Sequence, residues 1–144
     1  MGSRRQAREI SLNILYSLEI CPIEIGEAEE AIKQYHGVGK KVVSYASQLV
    51  NGTLSNLSRI DSLLEEYAQN WEIKRMVSVD RNILRQAIYE LIFQVDIPPS
   101  VVINEAVELA KKYSTEDSGK FVNGILDKIK EVRSNRQEMG KDER

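Results

Sequence analysis

The chain has 144 residues, 42% hydrophobic and 29% charged, a length that fits one domain able to build a core without disulfide or metal staples. Its 20 Lys+Arg against 22 Asp+Glu leave a formal charge of -2, which excludes a protein that coats nucleic acid by bulk charge and leaves only a local basic patch for such a role. The single cysteine, Cys21, has no second thiol for an internal disulfide and suits a reducing cytosol. No apolar signal region follows the basic start, and the longest uncharged run, Val42 to Ser58, is too rich in Ser, Thr, Asn, Gln and Gly to span a membrane. A soluble cytoplasmic protein is expected.

Apolar residues recur at three- and four-residue steps almost throughout. Ala7, Ile10, Ile14, Leu15 and Leu18 make one stripe of a helix that ends near Cys21-Pro22. Ala28, Ala31 and Ile32 suggest a short helix in an acidic stretch, with Gly37 and Gly39 bracketing its end. Val42, Val43, Ala46, Leu49, Val50, Leu54 and Leu57 continue a helical stripe. Asn51-Gly52 inside it normally marks a hairpin turn, but the flanks keep period 3.6, so the spacing predicts a helix with a kink there. Ile60, Leu63, Leu64 and Tyr67 form another face, ending before Trp71.

From Asp80 to Val95, Ile83, Leu84, Ala87, Ile88, Leu91, Ile92 and Val95 cover a wide arc, as a central helix packed on several sides requires. Asp96-Ile97-Pro98-Pro99 breaks it, and proline suits the first turn of the helix that follows. That helix carries Val102, Ile103, Ala106, Leu109 and Ala110 and ends near Lys111-Lys112-Tyr113, where cations suit the negative end of the dipole. Ser114-Thr115-Glu116-Asp117 reads as a capped start for a last helix through Phe121, Val122, Ile125, Leu126 and Ile129. From Ser134 to Arg144 only Met139 is apolar, which predicts a disordered polar tail. No strand alternation and no internal repeat is evident. The expected fold is all-α, a single compact bundle of about seven helices over residues 1–133.

The inventory for catalysis is thin, so no enzyme, cofactor or metal is expected. His36 is the only histidine and sits beside Gly37 in a loop, and Cys21 alone cannot supply a metal site. Gly37-Val38-Gly39-Lys40-Lys41 lacks the upstream glycine, the Ser or Thr after lysine and the preceding strand that a phosphate loop needs.

Two segments carry more. Arg4, Arg5 and Arg8 share a side of the first helix, where like charges repel by a few tenths of a kcal/mol per pair and the dipole disfavours cations by ~0.3–1 kcal/mol. A phosphate partner reverses both signs. Lys111 to Phe121 places lysines, rings and a carboxylate around a helix junction, a combination suited to single-stranded RNA, although Phe121 also fits the core stripe with Ile125. Gly119 and Gly124 in one helix cost about 1 kcal/mol each against Ala, which suggests close packing or a ligand there.

With these segments in view, the chain resembles the NusB family of bacterial transcription antitermination factors. The matching pieces are Arg4-Arg5-Gln6-Ala7-Arg8-Glu9 with Leu15-Tyr16, Val79-Asp80-Arg81-Asn82-Ile83-Leu84-Arg85, Asp96-Ile97-Pro98 with Ile103-Asn104-Glu105-Ala106, and Glu116-Asp117-Ser118-Gly119-Lys120-Phe121-Val122-Asn123-Gly124. They run in family order from Arg4 to about Ile129. The resemblance implies two small helical subbundles and a non-enzymatic role: binding the boxA element of ribosomal RNA leader transcripts together with NusE, a small-subunit ribosomal protein, and joining other Nus factors on RNA polymerase. On that pattern Arg4, Arg5 and Arg8, with Tyr113, Asp117, Lys120 and Phe121, match RNA-contacting positions. Tyr16 and Asp80 match positions used toward NusE. Some relatives pair into homodimers that cover the RNA face. Two rival readings stand beside this one: a helical subunit of an rRNA methyltransferase, and a protein-interaction module without direct RNA contact.

Overall fold

The computed structural model describes residues 2–21, 27, 30–32, 39–68 and 73–142, with the backbone alone for 2, 3, 74 and 134–142. Among the described residues there are six α-helices with both ends defined, one 3-10 helix and no strand, beside a helical piece at 30–32. They are α1 (Gly2–Ile20), α2 (Lys40–Ser55), α3 (Leu57–Tyr67), the 3-10 turn Ile73–Arg75, α4 (Ser78–Phe93), α5 (Pro99–Tyr113) and α6 (Glu116–Asp142). Residues 30–32 are helical, with Ile32 fully buried. Ala28, His36, Gly37 and Trp71 lie outside the described residues.

The stripes read from the sequence are the faces that pack. Ala7, Ile10 and Ile14 of α1 meet Val42, Ala46 and Val50 of α2, and with Ile32 they form the smaller core. The larger core gathers Ile60 and Leu64 of α3, most of α4, Val102, Ile103 and Ala106 of α5, and Val122, Leu126 and Ile129 of α6. Leu12 of α1 and Leu49 of α2 reach into it. Tyr45 packs against both cores. The bundle is therefore two subbundles sharing α1 and α2 as a common wall.

Helix α4 is central because it has no polar face to spare. Eleven of its residues are buried, and Ile83, Leu84, Ile88 and Leu91 are at most 1% exposed, each worth about 1.5–3 kcal/mol of transfer energy. Pro99 sits in the first turn of α5, where its missing N–H has no intrahelical acceptor to lose. Arg133 of α6 clamps the α4–α5 break, donating to the carbonyls of Ile97 at 2.7 Å and of Val95. Thr115 caps α6, its Oγ1 accepting the Ser118 N–H at 3.0 Å.

Three local expectations change. Helix α2 runs unbroken through Asn51-Gly52, and the break falls at Asn56, which donates through Nδ2 to the Gly52 carbonyl at 2.8 Å. Glycine is needed at 52 for contact: a Cβ there would lie 2.2 Å from the Tyr89 ring. Gly119 likewise lets α6 approach α5, since a Cβ would stand 3.2 Å from Lys111 Cγ, whereas Gly124 faces open space and no packing explains it. Finally, the segment from Ser134 expected as a disordered tail continues α6 as helix to Asp142. Its Arg, Gln, Glu, Met and Lys residues are good helix formers, so the backbone can propagate without an apolar face.

A candidate nucleic-acid interface

The three N-terminal arginines point to three different partners. Arg4 is exposed and lies over the Tyr45 ring, 4.7 Å from its centre. Arg5 is exposed and makes a two-pronged pair with Glu105 of α5, Nε to Oε2 and Nη2 to Oε1 both at 3.0 Å. That hydrogen bonding and the Glu105 charge raise its pKa.

Arg8 is different in kind. It is 3% exposed and paired in the core with Glu90 of α4, at 2.8 Å from Nε to Oε1 and 2.9 Å from Nη2 to Oε2. Tyr45 Oη donates to the same carboxylate at 2.6 Å, and Gln86 Nε2 donates to the Arg8 carbonyl at 3.2 Å. Burial works against the charged guanidinium, but the Glu90 hydrogen bonds and charge outweigh it, so its pKa is raised. Arg8 therefore presents no free fork to a phosphate, which corrects the expectation for that residue. The local repulsion among the arginines is offset at two of the three by carboxylates from neighbouring helices.

Helix α5 links the arginine end to the α5–α6 junction. One turn beyond Glu105 comes Leu109, and then Lys112, whose Nζ reaches Glu9 of α1 at 2.8 Å and lies 5.3 Å from the centre of the Tyr113 ring. Arg5, Glu9, Glu105, Glu108 and Lys112 line one open depression. The Glu9 bond raises the pKa of Lys112, and partial burial raises that of the Tyr113 hydroxyl. Lys111 packs beside Gly119 of α6, and Lys120 follows, exposed. The contacts along α5 thus run from Arg5 through Lys112 to Tyr113, and Lys111 meets Gly119, the residue before Lys120.

Asp117 and Phe121 border a cleft of about 270 Å³ that also touches Arg75, Met76, Val77 and Asp80. Asp117 is exposed, while Phe121 is half-buried and packs against the larger core. Part of the Phe121 ring thus packs inward while another part borders the cleft. Asp80 is 6% exposed. Its Oδ2 accepts from Ser118 Oγ at 2.8 Å, and its buried Oδ1 has no hydrogen-bond partner. Asp80, which the resemblance matches to a position used toward NusE, is thus largely buried and fixes the start of α6 through Ser118. Tyr16 is 37% exposed, one turn before Ile20 at 66%, on the far part of α1.

Sequence reasoning missed the carboxylates that organise the site. Glu90 and Glu105 lie 82 and 100 residues from their arginines, too far for any spacing rule. Among the described residues no group of His, Cys, Asp and Glu could hold a metal ion, and no helix is long and apolar enough to cross a membrane.

Comparison with known proteins locates this arrangement. The model of the NusB family matches residues 5–131. A transcription antitermination protein NusB from Pelotomaculum thermopropionicum is 49% identical over 129 residues, covering 90% of each chain, and one from Desulfitobacterium hafniense is 43% identical over 97% of this chain and 96% of its own. Among solved structures, T. maritima NusB superposes with a TM-score of 0.81 at 43% identity, covering 89% of this chain and 90% of that one. The NusB of a crystal structure of the antitermination factors NusB and NusE in complex with dsRNA gives 0.83 at 34% identity, covering 92% and 98%.

Proposed function

The chain belongs to the NusB family, and from that membership we propose that it is a transcription antitermination factor that binds boxA-type single-stranded RNA of ribosomal RNA leader transcripts together with NusE. In this role it joins RNA polymerase with the other Nus factors and suppresses premature termination. It acts by binding and not by catalysis. What supports the reading is the run of contacts from Arg5 along α5 to Tyr113, with exposed Lys120 one residue past the Gly119 that Lys111 meets. Cations on that run hold phosphates, and the rings of Tyr113 and Phe121 offer faces on which unpaired bases stack. Arg4, Arg5 and Lys120 act as the phosphate contacts, Asp117 accepts from a base amino group, and Arg8 positions α1 from inside.

The same strip carries Glu9, Glu105 and Glu108 among its cations. RNA must compete with these carboxylates for Arg5 and Lys112, which keeps the intrinsic affinity modest and gives NusE a reason to complete the site. Tyr16 and Ile20, one turn apart and exposed, form an apolar face at the far part of α1 on which NusE docks. Soluble cytoplasmic residence follows from the role.

A gel-shift comparison tests the reading. BoxA RNA is expected to shift at lower protein concentration than scrambled RNA of the same length, and NusE to sharpen the difference. Duplex RNA is the decisive competitor, because the related complex contains dsRNA: if duplex displaces the single strand at equal concentration, stacking on Tyr113 and Phe121 is not the basis of recognition. A protein that shifts no RNA but binds NusE would be an interaction module instead.

A further inference from the structure

At the starts of α1 and α2 a pocket of about 480 Å³ is lined by Arg4, Lys40, Lys41, Ser44, Tyr45 and Gln48. Three cations from two helices converge on it, and among the described residues no carboxylate lines it. Among the described residues neither Lys40 nor Lys41 pairs with an acid, in contrast to Arg5, Arg8 and Lys112. The Tyr45 ring, 4.7 Å from the Arg4 guanidinium carbon, forms one wall, and its hydroxyl is committed to Glu90. Ser44 and Gln48 add uncharged donors one turn apart on the same face of α2. Lys40 and Lys41 also occupy the first turn of α2, where the helix dipole disfavours cations.

A cluster that no acid of the described residues offsets is stabilised by an anion, and its chemistry of one guanidinium, two ammonium groups and short polar donors is that of phosphate recognition. Arg4 and Arg5 are neighbours in sequence yet turn to different helices, Arg4 toward α2 and Arg5 toward α5. A strand lying across the start of α1 touches both.

We propose that this pocket holds backbone phosphates of the RNA outside its specifically read element, so that the transcript continues from α5 across α1 onto α2. The inference rests on the RNA-binding role proposed above and extends it to a second, sequence-independent anchor. The residues that distinguish it are Lys40, Lys41, Ser44 and Gln48, none of which belongs to the α5 strip.

The test uses the full chain with a minimal boxA RNA and the same RNA lengthened by several nucleotides at its 5′ or its 3′ end. Wild type is expected to bind one lengthened RNA about tenfold more tightly at low salt, with the log–log salt slope steeper by about 1.4, the value for two further single-strand phosphate contacts. The double substitution Lys40→Gln with Lys41→Gln abolishes that gain and leaves the minimal RNA unaffected. Ser44→Glu, which places an acid in the pocket at an exposed position, does the same with an unchanged melting temperature. Equal binding of minimal and lengthened RNA by wild type, or a gain that survives both variants, overturns the proposal. Wild type that binds neither RNA refutes the RNA-binding role and this inference with it. If the amide NMR signals of residues 40–48 shift with inorganic phosphate but not with lengthened RNA, the pocket takes a small phosphate and the proposal is likewise overturned.

Discussion

Arg8 and Glu90 meet in the core as a two-pronged pair, with the Nε–Oε1 bond at 2.8 Å and Tyr45 Oη adding a further donor to the same carboxylate at 2.6 Å. The pair joins α1 to the central helix at the seam between the two cores. Removing one member leaves the other charged and buried, so Arg8→Ala or Glu90→Ala is expected to cost roughly 3–5 kcal/mol. Urea unfolding checks this. A loss below 1 kcal/mol for Arg8→Ala, accompanied by a large loss of RNA affinity, would mean that the guanidinium serves the surface after all.

Arg5 behaves as a contested cation. Glu105 holds it at 3.0 Å through both prongs while its side chain stays 59% exposed. Glu105→Gln releases the fork, and RNA affinity is expected to rise several-fold with little change in melting temperature. Arg5→Ala should lower affinity and reduce the salt slope by about 0.7, one phosphate contact on a single strand. Filter binding across a salt series measures both, and an unchanged slope removes Arg5 from the interface.

Gly52 sets two terms against each other. Alanine would gain about 1 kcal/mol of helix propensity, but its Cβ would stand 2.2 Å from a ring that is itself stacked on Phe93 and hydrogen-bonded by Gln94. Overpacking of about 1–3 kcal/mol wins. Gly52→Ala should therefore melt below wild type, and a higher melting temperature would show that Tyr89 swings aside freely.

Tyr113 and Phe121 separate stacking from packing. Each ring that stacks on a base contributes about 1–3 kcal/mol of binding. Tyr113 is 38% exposed, so Tyr113→Ala should weaken RNA binding without altering the melting temperature, and Tyr113→Phe should restore the affinity. Phe121→Ala should reduce both, because the ring also rests on the larger core. Intact affinity in both alanine variants would take the rings out of recognition.

Glu19 gives a pH signature. Burial alone would raise its pKa, but hydrogen bonds from Arg81 and Ser78 and the charges of Arg81 and Arg85 prevail and lower it from 4.5 to about 2. The unfolded chain therefore binds the proton more readily than the folded one. The stabilisation is complete above about pH 4.5 and is lost as the pH falls from there through about 2. Melting temperatures of wild type and Glu19→Gln are expected to differ most at neutral pH and to converge toward pH 2. A gap that stayed constant with pH would show that the ionisation of Glu19 is not linked to folding.

Much of the fold was legible because helical packing is periodic. The Ala7–Ile10–Ile14 stripe, the wide apolar arc of α4 and the Pro98-Pro99 break each follow from spacing alone, and they lie where the packing puts them. What spacing cannot report is which distant residue answers a charge or a missing side chain. Glu90 for Arg8, Glu105 for Arg5 and the Tyr89 ring for Gly52 are such cases. Asp80 was legible as a motif residue but not as a buried one, since its neighbour Ser118 arrives from α6. The polar residues after Ser134 show another limit: composition tells what cannot be packed, and the backbone there is helical all the same.

Glu105 and Lys112, the two points where α5 receives α1, are seven residues apart on one uninterrupted helix. At 1.5 Å per residue that fixes them about 10 Å from each other and on nearly the same face. The distance is metred by backbone geometry and not by flexible side chains, so the segment acts as a gauge. Exchanging one amino acid there alters the strength of a grip. Inserting one would swing Lys112 and everything beyond it by about 100° around the rod, detaching the ring-bearing end from the arginine end even if every helix remained folded.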